Sequence, residues 1–337
     1  MEAVQSGLLE GTVITSRIRL ARNLQNFNFC ITNPQLAKDV VKKVYRALVK
    51  TDTFNLYFAS NLSDLVLEGM KERHLISNAL IKNKQFGAAL INEKKDVSVM
   101  VHEEDVIREQ CFMKGLCLSE AYKRISAIDD AISKNLDLAF DHKLGYLTAC
   151  PTNLGTGLRA SVMLFLPALT EGGKINALAQ ELSQLGLTIR GIYGEGTKAE
   201  GFTYQVSNEV TLGVSEYEIL RSVEEAVIRI CKAEREEKDR LYSRKQLKTM
   251  DKARKAFGIL TNSVLLGYEE FLSLVAQVKL GAMLGMINIS DISQIDDLIV
   301  MVRPAVLCEQ YQRKLSAIDR DLFRAEIVSN KLLKIKE

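Results

Sequence analysis

Tryptophan is absent from the 337 residues, and only four prolines and three histidines are present. The six cysteines are scattered and form no C-x-x-C pair, so a metal site built from cysteine and histidine is not expected. No apolar run approaches the ~20 residues that cross a bilayer. Residues 1–16 lack the basic and apolar regions of a signal peptide. We therefore expect a soluble, cytoplasmic protein with reduced thiols.

Charge of neither sign dominates. Lys and Arg number 45 against 42 Asp and Glu, which gives a formal net charge of +3. This balance does not require a nucleic acid or a membrane surface as partner. With 47% apolar residues, a chain of this length can bury cores in about two domains. Disordered, collagen-like and coiled-coil architectures are excluded as the main fold.

Strand-like and helix-like patterns are mixed as far as about residue 230. Residues 12–20 alternate in the manner of a strand, and residues 86–101 have the pattern of a β-hairpin. Helical periodicity is present at 35–50, 119–134, 174–185 and 215–238. Strict βαβ alternation is missing, so we expect an α+β fold whose mainly antiparallel sheet is flanked by helices.

The pattern becomes purely helical towards the C-terminus. Residues 232–255 carry ten Lys and Arg against five Asp and Glu, which is typical of a solvated helix or linker. Residues 293–296 match a helix-capping box. We predict a catalytic domain over residues 1–245 and a small all-α domain over residues 246–337.

Two arginines near the start of the sequence share one side of a predicted strand. Side chains alternate along a strand, so Arg17 and Arg19 face one way while Ile18 and Leu20 face the core. Two neighbouring guanidinium groups repel each other unless an anion lies between them. Phosphate suits them because its oxygens match the guanidinium fork. The alternative is a solvated edge strand.

A glycine-rich segment follows Cys150. Gly155 to Ala160 matches the dinucleotide pattern G-x-G-x-x-A, but a strand-like run follows where that motif needs a helix. No G-x-x-x-x-G-K-[ST] motif occurs. We interpret the segment as a turn that lets the backbone approach a ligand, with Arg159 beside it. Cys150 by itself is more typical of a buried apolar thiol than of a reactive one.

Two further segments combine charge with loop signals. Residues 190–196 (RGIYGEG) place three glycines around one arginine and one glutamate. Residues 102–108 (HEEDVIR) form an acidic cluster directly after a predicted strand. Taken with the arginine pair and Arg159, they indicate a polyphosphate site with a guanidinium partner.

Together these segments resemble the phosphagen (guanidino) kinase family, the ATP:guanido phosphotransferases. Residues 150–161 (CPTNLGTGLRAS) are similar to the signature around the family's active-site cysteine, and residues 16–22 (SRIRLAR) to its phosphate-binding arginines. Residues 103–108 (EEDVIR) are similar to its acidic motif. Within the family, RGIYGEG and residues 320–325 (RDLFRA) are most similar to the bacterial protein arginine kinases, whose C-terminal domain binds phosphoarginine.

The resemblance implies a role for each matching residue. Glu104 would be the base, Glu195 would orient the substrate guanidinium, and Cys150 would tune the site as a thiolate without a covalent intermediate. The ATP site would be lined by Thr15, Ser16, Arg17, Ile18, Arg19, His74, Arg108, Arg159, Ala160, Ser161, Val162, Met163, Arg190, Gly191, Ile192, Tyr193, Gly194 and Glu195. An allosteric phosphoarginine site would be formed by Arg320, Asp321, Leu322, Phe323, Arg324 and Ala325.

The implied chemistry requires a carboxylate pair. A guanidinium with a pKa above about 12 has no lone pair with which to attack phosphorus. Two carboxylates can orient it by bidentate hydrogen bonds, and one can take its proton as the N–P bond forms. Arginines and Mg²⁺ would neutralise the triphosphate of ATP.

The resemblance also implies partners. These are protein substrates with exposed arginines, the activator McsA, the repressor CtsR and the protease ClpC–ClpP, which would degrade marked proteins in a stress response. Nucleic acid and membrane are not expected as direct partners. Apolar helical residues such as 276–286 allow a homodimer.

Two alternatives stay open. A small-molecule guanidino kinase is disfavoured because the Ser16–Arg19 motif begins too early for the helical domain of about a hundred residues that precedes it in those relatives. A phosphoarginine-binding adaptor without catalysis is the other. It gains support from His102 and Val106, where family members commonly read asparagine and histidine.

Overall fold

The chain folds into two compact units. A computed structural model describes residues 9–29, 33–192 and 200–336. The first unit comprises Thr15–Val162 and Ser207–Glu225, and the second comprises Met1–Ile14, Met163–Val206 and Ala226–Glu337. Within the described ranges, no helix is long and apolar enough to cross a membrane.

The sheet confirms the predicted α+β class. Its strands are β1 Val13–Arg22, β2 Phe54–Phe58, β3 Ala88–Asn92, β4 Val97–Val101, β5 Ile107–Lys114, β8 Leu158–Phe165, β9 Leu187–Gly191 and β10 Thr203–Asn208. Hydrogen-bonded neighbours follow the order β2-β3-β4-β5-β1-β8-β10-β9. The pairs β2–β3, β3–β4, β4–β5 and β1–β5 are antiparallel. A separate hairpin pairs β6 Phe140–Asp141 with β7 Gly145–Tyr146.

Helices cover the strands of the first unit. They are α1 Pro34–Leu48, α2 Asp64–Glu72, α3 Asn78–Lys82 and α4 Leu118–Ser133. Asn33 caps α1 by accepting hydrogen bonds from two backbone amides, and a proline occupies the first turn of this helix. Apolar residues of α2 and α3 pack with Ala89, Ile91 and Met100 of β3 and β4, which leaves little solvent on that part of the sheet.

The second unit is mostly helical. Its helices are α5 Pro167–Glu171, α6 Ile175–Gln184, α8 Gln246–Asn262, α9 Tyr268–Met283, α10 Ser293–Met301, α11 Pro304–Gln310 and α12 Ala317–Ile335, and α7 Glu216–Tyr242 runs into it. Buried residues of α8, α9, α10 and α12 share one core, which includes Leu260, Phe271, Leu298 and Leu332. The helical character predicted for residues 246–337 is confirmed.

The predicted capping box at residues 293–296 is wrong. Helix α10 begins at Ser293, which therefore lies inside the helix, and Asp296 accepts a hydrogen bond from Lys279 at 2.6 Å. The capping box of this region belongs to α12, where Ser316 and Asp319 exchange hydrogen bonds with each other's backbone amides. Residues 293–296 and 316–319 both match the sequence pattern of a capping box. Only the second forms one, and Asp296 pairs with Lys279 instead.

Candidate active site

Three arginines from two strands share one face of the sheet. Arg17 and Arg19 lie two residues apart on β1 and therefore point the same way. Arg108 of β5 lies directly opposite Ala21 in the antiparallel register. Residues opposite each other share a face, and Ala21 shares the face of Arg19. The arginine pair predicted from the sequence thus gains a third member.

The charges of this arginine face act on one another. Burial, followed by the charges of Arg108 and Arg159, lowers the pKa of Arg17 to about 10. Burial also lowers the pKa of Arg19 well below its ordinary value, and Arg17, Arg108 and Arg159 lower it further. Within the described ranges, the buried Nε of Arg19 has no hydrogen-bond partner. A multiply charged anion would offer an acceptor to this atom and would offset the repulsion among the arginines.

Strand β8 contributes a fourth arginine beside this face. The Arg17 Nε atom donates to Ser161 Oγ at 3.4 Å, and Arg159 Nη2 donates to Ser207 Oγ at 3.1 Å. The amide of Ala160 donates to Asn208 Oδ1 at 2.8 Å, which fixes the backbone between the two polar positions. The structure therefore brings Arg17, Arg19, Arg108 and Arg159 together.

The other predicted residues of β1 have structural contacts. The Ser16 hydroxyl donates to Gly115 O at 2.7 Å and accepts from Cys117 N at 3.0 Å. Ile18 is fully buried in the core, and Thr15 is half-buried. Val162 of β8 is also fully buried. These residues hold the strands that carry the arginines.

His74 lies beside the same face through its backbone. Its carbonyl accepts a hydrogen bond from Gln110 Nε2 at 2.8 Å, and Gln110 is paired with Arg19 across β1 and β5. His74 has a positive φ of 61°, which places it in a tight turn after α2. The backbone of His74, a residue expected to line the ATP site, thus lies close to the arginines.

The acidic motif forms the loop between β4 and β5, and its residues have different surroundings. Glu103 is buried, and both of its carboxylate oxygens accept from Arg108 Nη1 at 2.6 Å. Asp105 is fully buried. Glu104 is exposed between them. Glu104 is therefore the carboxylate of the three that solvent, and hence a substrate, can reach.

The two departures from the family pattern have structural roles in this loop. His102 is buried, and its Nε2 lies 3.0 Å from the Ala37 carbonyl oxygen. Burial lowers the pKa of His102. Val106 is fully buried. Both residues face the interior, so they leave Glu104 accessible.

Cys150 lies on a loop that is joined directly to the acidic motif. The amide of Ala149 donates to Asp105 Oδ1 at 2.7 Å. Cys150 is half-buried, and its Sγ atom lies 3.0 Å from Thr152 Oγ1, where either atom is able to donate. The residues next to Glu104 and Cys150 are thus hydrogen-bonded to each other.

The glycines after Cys150 approach the protein's own backbone. A Cβ on Gly155, where φ is +109°, would lie 2.2 Å from Thr211 O, and a Cβ on Gly157 would lie 2.6 Å from Ala21 O. We expected from the sequence that these glycines let the backbone approach a ligand. Contacts within the chain already account for both of them. Their role is close packing between the loop, β1 and residue 211.

Arg22 is a residue of this region whose contacts the sequence did not reveal. It lies three positions after Arg19 and therefore on the opposite face of the strand. Its guanidinium binds Asp129 with two nitrogens, donates to Thr156 O at 3.0 Å and stacks 3.6 Å from the ring of Tyr146. In the sequence, Arg22 lies an odd number of positions after Arg17 and Arg19, and this spacing indicates that it faces the other side of the strand. Arg22 joins β1, α4 and the glycine-rich loop.

The remaining predicted ATP-site residues belong to the second unit. Arg190 is exposed near the end of β9, and the amide of Ile192 donates to Thr203 O at 2.9 Å. Gly191 and Met163 are half-buried. Tyr193, Gly194 and Glu195 lie outside the described residues.

The predicted phosphoarginine motif opens helix α12. Arg324 is buried, its Nε donates to Val302 O at 3.1 Å, and its Nη1 donates to Leu266 O at 2.7 Å and Asp321 Oδ1 at 2.6 Å. Arg320 is half-buried. The ring of Phe323 stacks on Tyr311 at 4.0 Å, Leu322 is exposed, and Ala325 is buried.

Two models of protein families match the sequence of this chain. A model described as "ATP:guanido phosphotransferase, C-terminal catalytic domain" matches residues 35–237, more than half of the chain. A second model, "Protein-arginine kinase McsB C-terminal domain", matches residues 246–337. The chain belongs to the ATP:guanido phosphotransferase family. It is a kinase of this family, with ATP as the phosphoryl donor.

Individual relatives agree with the family models. A protein-arginine kinase of Caldanaerobacter subterraneus subsp. tengcongensis is 41% identical over 328 residues, which cover 96% of this chain and 97% of that protein. One from Clostridium kluyveri is 43% identical over 327 residues, covering 96% and 95%.

Solved structures of other guanidino kinases share the fold. Lombricine kinase matches with a TM-score of 0.58 and 26% identity over 66% of each chain. The substrate-free duplicated taurocyamine kinase from Schistosoma mansoni matches with a TM-score of 0.58 and 27% identity. That match covers 66% of this chain and 33% of the duplicated enzyme. The predicted family and fold are thereby confirmed.

Proposed function

We propose that this kinase transfers the γ-phosphoryl group of Mg-ATP to the guanidinium of arginine residues in proteins. The observation that carries the proposal is the arginine face lying beside an exposed Glu104 in the first unit. The curated relatives are named protein-arginine kinases, and the C-terminal family model bears the same name. We further propose that the modification marks proteins for regulated proteolysis during stress.

The arginine face is proposed to bind the polyphosphate of ATP. Arg17, Arg19, Arg108 and Arg159 can neutralise the triphosphate and the oxygens of the transferred group, which is the main task in phosphoryl transfer. Burial and the neighbouring charges of Arg108 and Arg159 lower the pKa of Arg17, and Arg19 Nε has no hydrogen-bond partner among the described residues. Both observations support the assignment, because a bound polyphosphate would offset the repulsion and offer acceptor oxygens. The rest of the sequence-predicted ATP-site residues keep their proposed roles.

Glu104 is proposed as the base that takes the guanidinium proton. Its neighbours Glu103 and Asp105 already accept hydrogen bonds, whereas Glu104 is exposed. Cys150 is proposed to lie near the guanidinium without forming a covalent bond to phosphorus. Glu195 is proposed to orient the substrate. The nitrogen–phosphorus bond then forms as the bond from the γ-phosphorus to the bridging oxygen of ADP breaks.

Mg²⁺ is proposed to enter with the nucleotide. In the part of the chain that the structure describes, no group of three or more His, Cys, Asp or Glu could hold a metal ion. Mg²⁺ is commonly bound by phosphates, water and one or two carboxylates, so a site without a protein cage fits it. Bound Mg²⁺ would supply charge neutralisation of the phosphate oxygens.

The C-terminal region is proposed to regulate the kinase. We propose a catalytic domain over residues 1–245 and a helical domain over 246–337, in which the motif of Arg320, Asp321, Leu322, Phe323, Arg324 and Ala325 binds phosphoarginine. The half-buried Arg320 is the arginine of this motif that a ligand reaches more directly. Arg324 is held by two carbonyls and Asp321, so we assign it to keeping the start of α12 in place for binding.

Partners and location complete the proposal. Protein substrates follow from the relatives' names. The activator McsA, the repressor CtsR and the protease ClpC–ClpP are proposed partners, and a homodimer is also proposed. The expectation that residues 276–286 form its interface is not supported, because Ala276, Val278 and Leu280 are buried in cores of the chain itself. We place the reaction in the cytoplasm, where ATP is available.

The deciding experiment is phosphoryl transfer to an unfolded, arginine-rich protein that lacks lysine. Acid-labile phosphate on arginine would be detected by mass spectrometry under neutral handling. We expect Glu104→Gln to lower kcat by at least about 100-fold, because general base catalysis contributes about 10²- to 10⁴-fold. Glu93→Gln is the matched control, since Glu93 is exposed in the β3–β4 turn.

Each outcome selects one account. The proposal is supported if the wild type and Glu93→Gln both phosphorylate the protein substrate and Glu104→Gln does not. Label on free arginine alone would replace it with a small-molecule guanidino kinase. Absence of transfer even with an activator present would leave the phosphoarginine-binding adaptor.

A further inference from the structure

Asn23 occupies a position that the proposed roles leave unused. It directly follows β1, and its side chain is fully buried. The Nδ2 atom donates to Asp105 Oδ1 at 2.8 Å and to Leu147 O at 3.0 Å, while Oδ1 accepts from Val106 N at 2.8 Å. One amide therefore joins the acidic loop to the segment that leads to Cys150.

Asp105 completes this connection. Its Oδ1 atom accepts from Asn23 and also from Ala149 N at 2.7 Å. Asp105 directly follows Glu104, and Ala149 directly precedes Cys150. Burial excludes water that would compete for these hydrogen bonds. The backbones next to Glu104 and Cys150 are thus held by one shared oxygen and one amide.

We propose that Asn23 is a positioning residue for phosphoryl transfer, and that it sets where Glu104 lies relative to Cys150. The inference rests on the proposed function, in which these two side chains act on the guanidinium. Asn23 is buried and acts through the two loops. Its loss should lower the rate of the chemical step, because a displacement of about 1 Å can cost about 100-fold.

Asn92 provides a matched control in the same unit. It is buried, its Nδ2 donates to Asp52 Oδ2 at 3.1 Å and Asp96 Oδ1 at 2.6 Å, and its Oδ1 accepts from Val97 N at 3.0 Å. Truncating Asn92 removes the same kinds of hydrogen bonds at the β3–β4 turn. That turn carries none of the proposed site residues.

Steady-state kinetics of the full-length chain test the inference. We expect Asn23→Ala to lower kcat by about 100-fold. KM for ATP should change by less than about threefold, because three of the four proposed phosphate-binding arginines lie on β1 and β8 and only Arg108 follows the acidic loop. Asn92→Ala should keep its kcat within about twofold of the wild type at comparable thermal stability. Equal losses of kcat in the two variants would overturn the inference.

A second variant guards against misfolding of Asn23→Ala. In Asn23→Asp the side chain keeps its size and can still accept from Val106 N, but a carboxylate has no N–H to donate to Asp105 Oδ1 or to Leu147 O. We expect this variant to lower kcat by about tenfold or more, with a KM for ATP that changes by less than about threefold. An unchanged kcat in Asn23→Asp would contradict the positioning role.

The reactivity of Cys150 gives a readout that needs no phosphoryl transfer. Alkylation by iodoacetamide at one pH, followed by peptide mapping, should be about threefold or more faster in Asn23→Ala, because the released loop opens more often. Asn92→Ala should match the wild type. Unchanged alkylation in Asn23→Ala contradicts the inference, whereas a wild-type chain without phosphoryl transfer contradicts the proposed function.

Discussion

We propose that single residues of the arginine face favour nucleotide binding at the expense of the stability of the ligand-free chain. Burial and the charges of Arg108 and Arg159 lower the pKa of Arg17, and burial and the charges of Arg17, Arg108 and Arg159 lower the pKa of Arg19. Such repulsion raises the free energy of the folded chain without nucleotide. Under the proposed function, binding of a polyphosphate would remove this repulsion, and part of the binding free energy would come from its relief.

Arg19→Ala tests this at the residue scale. We expect the KM for ATP to rise about 10- to 100-fold, since hydrogen bonds to charged groups contribute about 1.5–3 kcal/mol. The midpoint of thermal unfolding without nucleotide should not fall, because an unpartnered buried Nε and three repulsive neighbours are relieved. Arg221→Ala is the control, since Arg221 is exposed and pairs with Glu225 on α7. An unchanged KM would refute the ATP assignment of Arg19.

At the scale of elements, the Cys150 loop depends on backbone packing. Gly155 adopts φ +109°, and an added Cβ would meet Thr211 O at 2.2 Å and Leu212 Cα at 2.8 Å. Backbone atoms cannot move aside as the end of a flexible side chain can. The loop that carries Cys150 must therefore shift if this glycine is replaced.

Gly155→Ala should consequently lower both stability and activity. We expect a loss of about 3 kcal/mol or more in the free energy of unfolding, together with a clear fall in kcat. Gly173→Ala is the control for backbone strain without a steric clash. Gly173 also has a positive φ of +68°, but apart from its two chain neighbours no atom of the described residues lies within 4 Å of the position that a Cβ would take. That variant should lose only about 1 kcal/mol. Equal destabilisation in urea titrations of the two variants would contradict the packing argument.

For the whole molecule, one buried carboxyl group makes stability depend on pH. Glu234 accepts hydrogen bonds from the amides of Ala168 and Leu169 at the start of α5. Burial is the largest influence and raises the pKa of Glu234 to about 7, against the opposing effects of these amides and Lys238. The folded chain therefore keeps a proton that the unfolded chain releases near its ordinary value of 4.5.

The sign of the effect follows from proton binding. Between pH 4.5 and about 7 the folded state holds more protons at Glu234 than the unfolded state, so its contribution to stability falls as pH rises. Relative to Glu234→Gln, the wild type should lose about 3 kcal/mol of unfolding free energy between pH 4.5 and 7.5. Urea titrations at several pH values measure this difference. Parallel pH profiles for the two proteins would disprove it.

Periodicity in the sequence was sufficient for most of the fold. The predicted helices at 35–50, 119–134 and 174–185 correspond to α1, α4 and α6, and the hairpin at 86–101 corresponds to β3 and β4. These elements bury one continuous face, so their residue patterns are regular. The predicted capping box at residues 293–296 was wrong because its short polar pattern does not show that Asp296 pairs with Lys279 in the fold.

The sequence alone determined the family, the antiparallel α+β class and the pairing of Arg17 with Arg19, because these depend on local order and on spacing along a strand. The tertiary structure decided which side chains of the acidic motif are accessible and that Asn23 joins two loops. It also decided that the glycines pack against the chain itself. Burial and hydrogen bonding between residues more than 80 positions apart leave no periodic trace in a sequence.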